Sequence, residues 1–180
     1  MPTVRRIIVG VQGTLGSLQA LRYAEAEARQ RDVPLLPVIA WVPPGGDLAE
    51  RRHSSPYLRK IWREAAWERL RAAFDDGLGG MPGGLHVEPH VERGDTGPVL
   101  VDIACQPDDL LVIGTGRRAG LSRWLRGSVG RYCLAHAKCP VLAIPPSDLM
   151  DEIGHGLRAW HRRHVLLPGS LTPPGSHGFR

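Results

Sequence analysis

The sequence predicts an α/β protein: a single doubly wound sheet of five parallel strands, order 3-2-1-4-5, with helices on both faces. Three observations carry this. The apolar runs at Ile7–Val9, Leu35–Val42 and Leu110–Ile113 are nearly continuous, as strands covered on both faces must be. Segments with apolar residues at three- and four-residue spacing lie between the strands, so strand and helix alternate along the chain. Glycine or proline marks most of the junctions.

The elements follow in order. Val4 to Val11 holds Ile7, Ile8 and Val9 and ends at the turn glycines Gly10 and Gly13, which makes a first buried strand. Gly16-Ser17 starts a helix in which Leu18, Leu21, Ala24 and Ala28 recur as far as Arg31, and Asp32-Val33-Pro34 breaks it. Leu35 to Val42 is the second strand, closed by Pro43-Pro44-Gly45-Gly46. Ser54-Ser55-Pro56 combines a serine cap with a first-turn proline. After it, Leu58, Ile61, Trp62, Ala65, Ala66, Leu70, Ala73 and Phe74 describe an amphipathic helix up to the glycine-rich break at 77–84. From Leu85 to Glu92, Leu85, Val87, Pro89 and Val91 share one face and His86, Glu88, His90 and Glu92 the other. An internal proline puts this third strand at a sheet edge. Thr96-Gly97-Pro98 opens a helix through Cys105. A fourth strand, a helix from Gly127-Ser128 to about Ala137, and a fifth strand at Val141–Ile144 complete the domain, expected to span 1–146. Residues 147–180 are expected to be an extension. Leu149, Ile153, Leu157 and Trp160 give it weak helical character, and proline, glycine and serine then favour disorder.

Composition narrows the function classes. The 180 residues carry a net charge of +5, and Lys60 and Lys138 are the lysines of a basic set that is otherwise arginine. Neither a nucleic-acid module nor an interleaving of aromatic and basic residues accompanies that charge, so no nucleic-acid partner is expected. Cys105, Cys133 and Cys139 cannot all pair with one another and sit in apolar contexts, which suggests reduced thiols and a cytoplasmic protein. The apolar run near the N-terminus is too short for a secretory signal, and no run approaches membrane-spanning length.

The most informative stretch is 108–145. A buried strand ends at Gly114-Thr115, a basic loop follows, and Gly127-Ser128 opens a helix. Free backbone N–H groups and the positive end of the helix dipole meet there, beside a hydroxyl and a glycine, a combination that suits a phosphate. Ligands of such sheets bind at the carboxyl ends of the strands, where Gly10-Val11-Gln12-Gly13 and Gly114-Thr115-Gly116 would face each other.

These residues resemble the universal stress protein family over about 3–146. The resemblance rests on Ile7-Ile8-Val9-Gly10-Val11, residues 38–42, Arg93-Gly94-Asp95, the Cys139-Pro140-Val141-Leu142 ending and, above all, the 108–145 block. Members that bind ATP carry Gly, two residues, Gly, nine residues, then Gly-Ser or Gly-Thr. Gly114 and Gly127-Ser128 match that spacing, and Arg117 stands at the middle glycine. Gln12 stands where such members place an aspartate against the adenine. The resemblance implies an ATP site, with Mg as the accompanying ion. Ile113, Gly114, Thr115, Arg117, Gly127, Ser128 and Val129 would lie at phosphate and ribose, and Gly10, Val11, Gln12 and Trp41 around the base. A glutamine still offers a carbonyl and an amide to a base edge. Arginine at 117 either crowds the backbone approach or itself binds phosphate.

Each candidate also has a plainer reading: glycines that permit turns, Ser128 as a helix cap, Trp41 at a core edge. Arg117, Arg118, Arg123, Arg126 and Arg131 either concentrate anions or form a solvated loop. Cys133, His136 and Cys139 do not keep to one helix face and lack a fourth ligand, and His86 and His90 read as a solvated strand edge, so neither set is expected to hold a metal. Neither a Gly-x-x-x-x-Gly-Lys-Ser/Thr loop nor a Gly-x-Ser-x-Gly elbow is present. The expectation is a regulatory protein that binds an adenine nucleotide without efficient turnover. It would pair as a homodimer through Val141–Ile144, with a protein partner possible. The alternatives are a nucleotide-free interaction module and a slow ATP hydrolase.

Overall fold

The computed structural model describes residues 3–46, 55–115 and 129–145. In chain order these form β1 (Arg6–Gly10), α1 (Leu15–Arg31), β2 (Leu35–Trp41), α2 (Pro56–Leu78), β3 (His90–Arg93), α3 (Thr96–Ile103), β4 (Asp109–Gly114), α4 (Val129–His136) and β5 (Val141–Ile144). The strands make one sheet in the order β3-β2-β1-β4-β5, and each neighbouring pair is parallel. The expected architecture and strand order are therefore those observed. The expected extension at 147–180 lies outside the described residues.

Alternation within each strand divides the core in two. Ile7 and Val9 of β1, Leu35 and Ile39 of β2 and Val112 of β4 face α1 and α2, where Leu18, Leu21, Leu70 and Phe74 meet them. Ile8, Leu36, Val38, Leu111 and Ile113 point the other way, onto Leu100 and Ala104 of the α3 segment and Cys133 of α4. Burying each large side chain of this kind contributes about 1.5–3 kcal/mol. Ala20, Ala24 and Ala28 of α1, one turn apart and fully buried, let that helix lie close on the sheet.

Helix ends follow from specific residues. Thr14, not Gly16, caps α1: its side chain accepts from the Ser17 N–H, and the Ser17 side chain reciprocates in a capping box. Asp32 closes α1 in the left-handed region at φ 54°. Ser55 caps α2 with Pro56 in its first turn, as the sequence suggests. At the other end of α2, the Arg22 Nε donates to the Gly77 carbonyl at 2.6 Å, a cation placed on the negative end of the helix dipole.

The third strand is shorter than the alternation at 85–92 suggests. Only 90–93 form the ladder with β2, preceded by an isolated bridge between Leu35 and Val87. Leu35 exchanges hydrogen bonds with His86 and Glu88. Two residues on, the next donor towards β3 falls to Pro37, which has no N–H, and the ladder lapses there. Leu85, Val87 and Val91 nevertheless pack against the same cluster, so the predicted apolar face is kept. Helix α3 stops at Ile103 rather than continuing through Cys105.

A candidate ligand crevice at the carboxyl ends of the strands

Strands β1 and β4 are neighbours, with Ile8 beside Leu111 and Val9 beside Val112. The chain therefore leaves both strands at the same edge, and Gly10-Val11-Gln12 and Gly114-Thr115 come together there. The sheet is extended in opposite directions from this pair, which is where a doubly wound sheet leaves a crevice.

The two sides are held by different means. On the β1 side, Ser17 is 5% exposed. Its hydroxyl accepts from the Gln12 N–H at 3.2 Å and the Thr14 N–H at 3.0 Å, and donates to the Thr14 carbonyl at 2.9 Å. One buried side chain thus shapes the turn that follows β1. Gly13 within it takes φ +68°, where a side chain would be strained. Gln12 is exposed, and its Nε2 donates to Thr96 Oγ1, at the first turn of α3, at 2.9 Å. On the β4 side, the Ile144 carbonyl of β5 accepts from both the Thr115 N–H (2.8 Å) and the Thr115 hydroxyl (3.2 Å).

Gly114 serves a close approach inside the protein. A Cβ there would stand 2.2 Å from the Gly16 carbonyl oxygen and 2.7 Å from the Ser17 nitrogen, both main-chain atoms. One on Gly16 would stand 2.5 Å from the Thr115 carbonyl oxygen. The first turn of α1 thus rests directly on the end of β4, with glycine on both sides.

Of the residues singled out in the sequence, the structure brings together Gly10, Val11, Gln12, Gly114 and Thr115. Ile113 is buried and Val129 half-buried in the packing between the sheet and α3 and α4. Trp41 is 8% exposed and its ring lies 6.5 Å from that of Trp62, in the layer facing α1 and α2. It is a core residue, on the opposite face of the sheet from the helix that Thr96 begins. Arg117, Gly127 and Ser128 lie outside the described residues, as do Arg118, Arg123 and Arg126. Gly16, Ser17 and Thr96 were not singled out for the site. The Thr14-x-x-Ser17 spacing would have found the turn, whereas nothing local marks Thr96.

Among the described residues, a buried carboxylate is paired with an arginine at the amino ends of the strands. Asp109, 1% exposed, takes the Arg6 Nε at 2.5 Å and Nη2 at 3.0 Å, and the Gln106 N–H at 3.0 Å. The hydrogen bond to Asp109 raises the Arg6 pKa against the opposing effect of burial. Burial pushes the Cys133 thiol up to about 11 and raises that of Cys139, so both remain protonated at neutral pH. His136 is exposed and stacks on Tyr132 at 4.2 Å. Among the described residues, no group of three or more His, Cys, Asp or Glu is arranged to hold a metal, and no helix is long and apolar enough to cross a membrane.

The fold, a five-stranded parallel sheet in the order 3-2-1-4-5, defines a class of doubly wound α/β proteins. Residues 3–145 match the family model described as the universal stress protein family. The chain belongs to that family. It is 29% identical over 158 residues to universal stress protein Rv2624c of Mycobacterium tuberculosis strain H37Rv, covering 82% of this chain and 53% of the relative. The chain spans about half the length of several relatives it matches. Among solved structures, a universal stress protein in complex with cAMP superposes with a TM-score of 0.52 at 23% identity, covering 81% of this chain and 99% of that one. A family member from Arabidopsis thaliana with AMP bound gives 0.50 at 19%, covering 80% and 93%. At such identities the likeness concerns the fold.

Proposed function

We propose that this chain is a regulatory protein that binds an adenine nucleotide at the crevice, ATP with Mg foremost, and does not turn it over efficiently. The observation that carries the reading is the meeting of the Gly10–Gln12 turn with Gly114-Thr115 at the edge where the sheet changes direction. Family membership supports it, as do the family members of like fold solved with cAMP and AMP. In this reading the 127–129 segment takes phosphate and Gln12 takes the base. Nucleotide occupancy then biases the loop that a partner meets. We also propose a cytoplasmic location and a homodimer through β5, at a sheet edge. Mass by light scattering tests the dimer: 19.7 kDa would mean a monomer.

Saturating Mg-ATP, at a hundred times its Kd, should stabilise the protein by about 2.7 kcal/mol. For a chain of this size that is a rise in melting temperature of roughly 5–10 °C. Replacing Gly127 by a bulky residue should abolish the rise. A second reading, a nucleotide-free interaction module, is favoured by one specific observation. Gly114, Thr115 and Trp41 are each accounted for by packing or hydrogen bonding within the protein. A melting temperature indifferent to every adenine nucleotide would select it.

A further inference from the structure

The Gln12–Thr96 pair has a chemistry that the proposed site does not by itself require. Gln12 is exposed beyond the end of β1, and its amide reaches the Thr96 hydroxyl, at the first turn of α3, at 2.9 Å. With Nε2 donating to Oγ1, the pair still offers the Gln12 carbonyl as acceptor, and a second amide N–H and the Thr96 O–H as donors. Turned by 180°, with the carbonyl accepting from the hydroxyl, the amide still offers two N–H donors and a free lone pair. In either orientation the pair presents donor and acceptor side by side, uncharged. A carboxylate at 12 would accept the Thr96 proton and leave acceptors only.

Purine rings differ at this level. A 6-amino purine presents an N–H donor at position 6 beside an acceptor nitrogen. On the N1 edge a 6-oxo purine reverses the order, with an acceptor oxygen beside an N1–H donor. An amide that satisfies its tether in both orientations can meet either order by rotating. We propose that Gln12, tethered by Thr96, makes the crevice tolerant of both 6-amino and 6-oxo purine nucleotides, so that guanine and hypoxanthine nucleotides bind alongside adenine ones. This rests on the reading that the crevice takes a nucleotide with its base at Gln12. The pair is exposed, so each contact competes with water and no steep discrimination is expected.

The test is titration of the full chain with ATP, GTP and ITP, followed by calorimetry, for wild type, Gln12→Glu and Thr96→Val. Both substitutions fall on exposed or half-buried surface outside the core, and circular dichroism confirms folding. The wild type should bind all three within about tenfold of one another. Gln12→Glu, with acceptors only, should move the ATP-to-GTP ratio by more than about threefold. Thr96→Val, which frees the amide, should weaken all three by a few-fold and leave their ratio alone. ATP binding with GTP and ITP excluded overturns the inference and leaves nucleotide binding standing. So does a ratio that Gln12→Glu leaves within threefold of wild type. Failure of all three nucleotides to bind the wild type overturns both.

Discussion

Replacing Gly114 by alanine separates a glycine kept for packing from one kept for a ligand. The new methyl would lie 2.2 Å from the Gly16 carbonyl oxygen, 2.4 Å from the Gly16 carbonyl carbon and 2.7 Å from the Ser17 nitrogen. Ordinary contact needs about 3.4 Å or more, so main-chain atoms must part by about 1 Å. No flexible side-chain tip is available to yield. Either β4 shifts against β1 and β5, or the first turn of α1 lifts and takes the Ser17 hydrogen bonds with it. Overpacking of this kind costs about 1–3 kcal/mol. With main chain on both sides, the upper end is expected, about 3 kcal/mol, or a melting temperature lower by roughly 6–12 °C. Urea unfolding of the ligand-free protein measures it. Gly16→Ala presses on the same contact through the Thr115 carbonyl, so the double variant should lose less than the sum of the singles. A ligand-free Gly114→Ala protein as stable as wild type would refute the packing argument and return this glycine to the ligand alone.

Two further outcomes follow from the opposite end of the sheet and the helical layer over it. Asp109→Ala strips Arg6 and the Gln106 N–H of their shared partner and should cost about 3 kcal/mol in urea unfolding, the low end for a broken buried pair. The low end applies because the Arg6 side chain is 32% exposed and finds water. Cys133, raised from 9.0 to about 11, holds its proton more tightly when folded than when unfolded. Its contribution is complete below pH 9 and is lost as pH climbs towards 11, by at most about 3 kcal/mol. Unfolding midpoints from pH 8 to 11 should fall less steeply in Cys133→Ala than in wild type, and identical slopes would contradict the assignment.

The sheet was legible because its strands announce themselves. Ile7–Val9 and Leu110–Ile113 are apolar on both faces, as only a covered parallel strand requires, and Pro89 marked the edge. The ladder beside Pro89 was less legible, because the residue that interrupts it, Pro37, sits on the neighbouring strand. The site divides in the same way. Gly10, Gln12, Gly114 and Thr115 were found from their place after strands, and the sheet order brings them together. Gly16 and Thr96 act on partners far along the chain, and no local pattern encodes that. For Trp41 the sequence leaves two places open, beside a base or at a core edge, because a strand-end aromatic suits either. The structure gives the second: the ring follows the alternation of β2 into the layer under α2, where Trp62 meets it. Nothing in the sequence separates Asp109 from its neighbour Asp108, although burial and a bidentate arginine make Asp109 the firmest polar tie between β1 and β4.

Calorimetric titration of the full chain with Mg-ATP asks whether the strand ends hold an adenine nucleotide. Saturable heat with one nucleotide per chain is expected, lost when Gly127 carries a bulky side chain. Heat that persists unchanged in that variant, or none at all in the wild type, would contradict it.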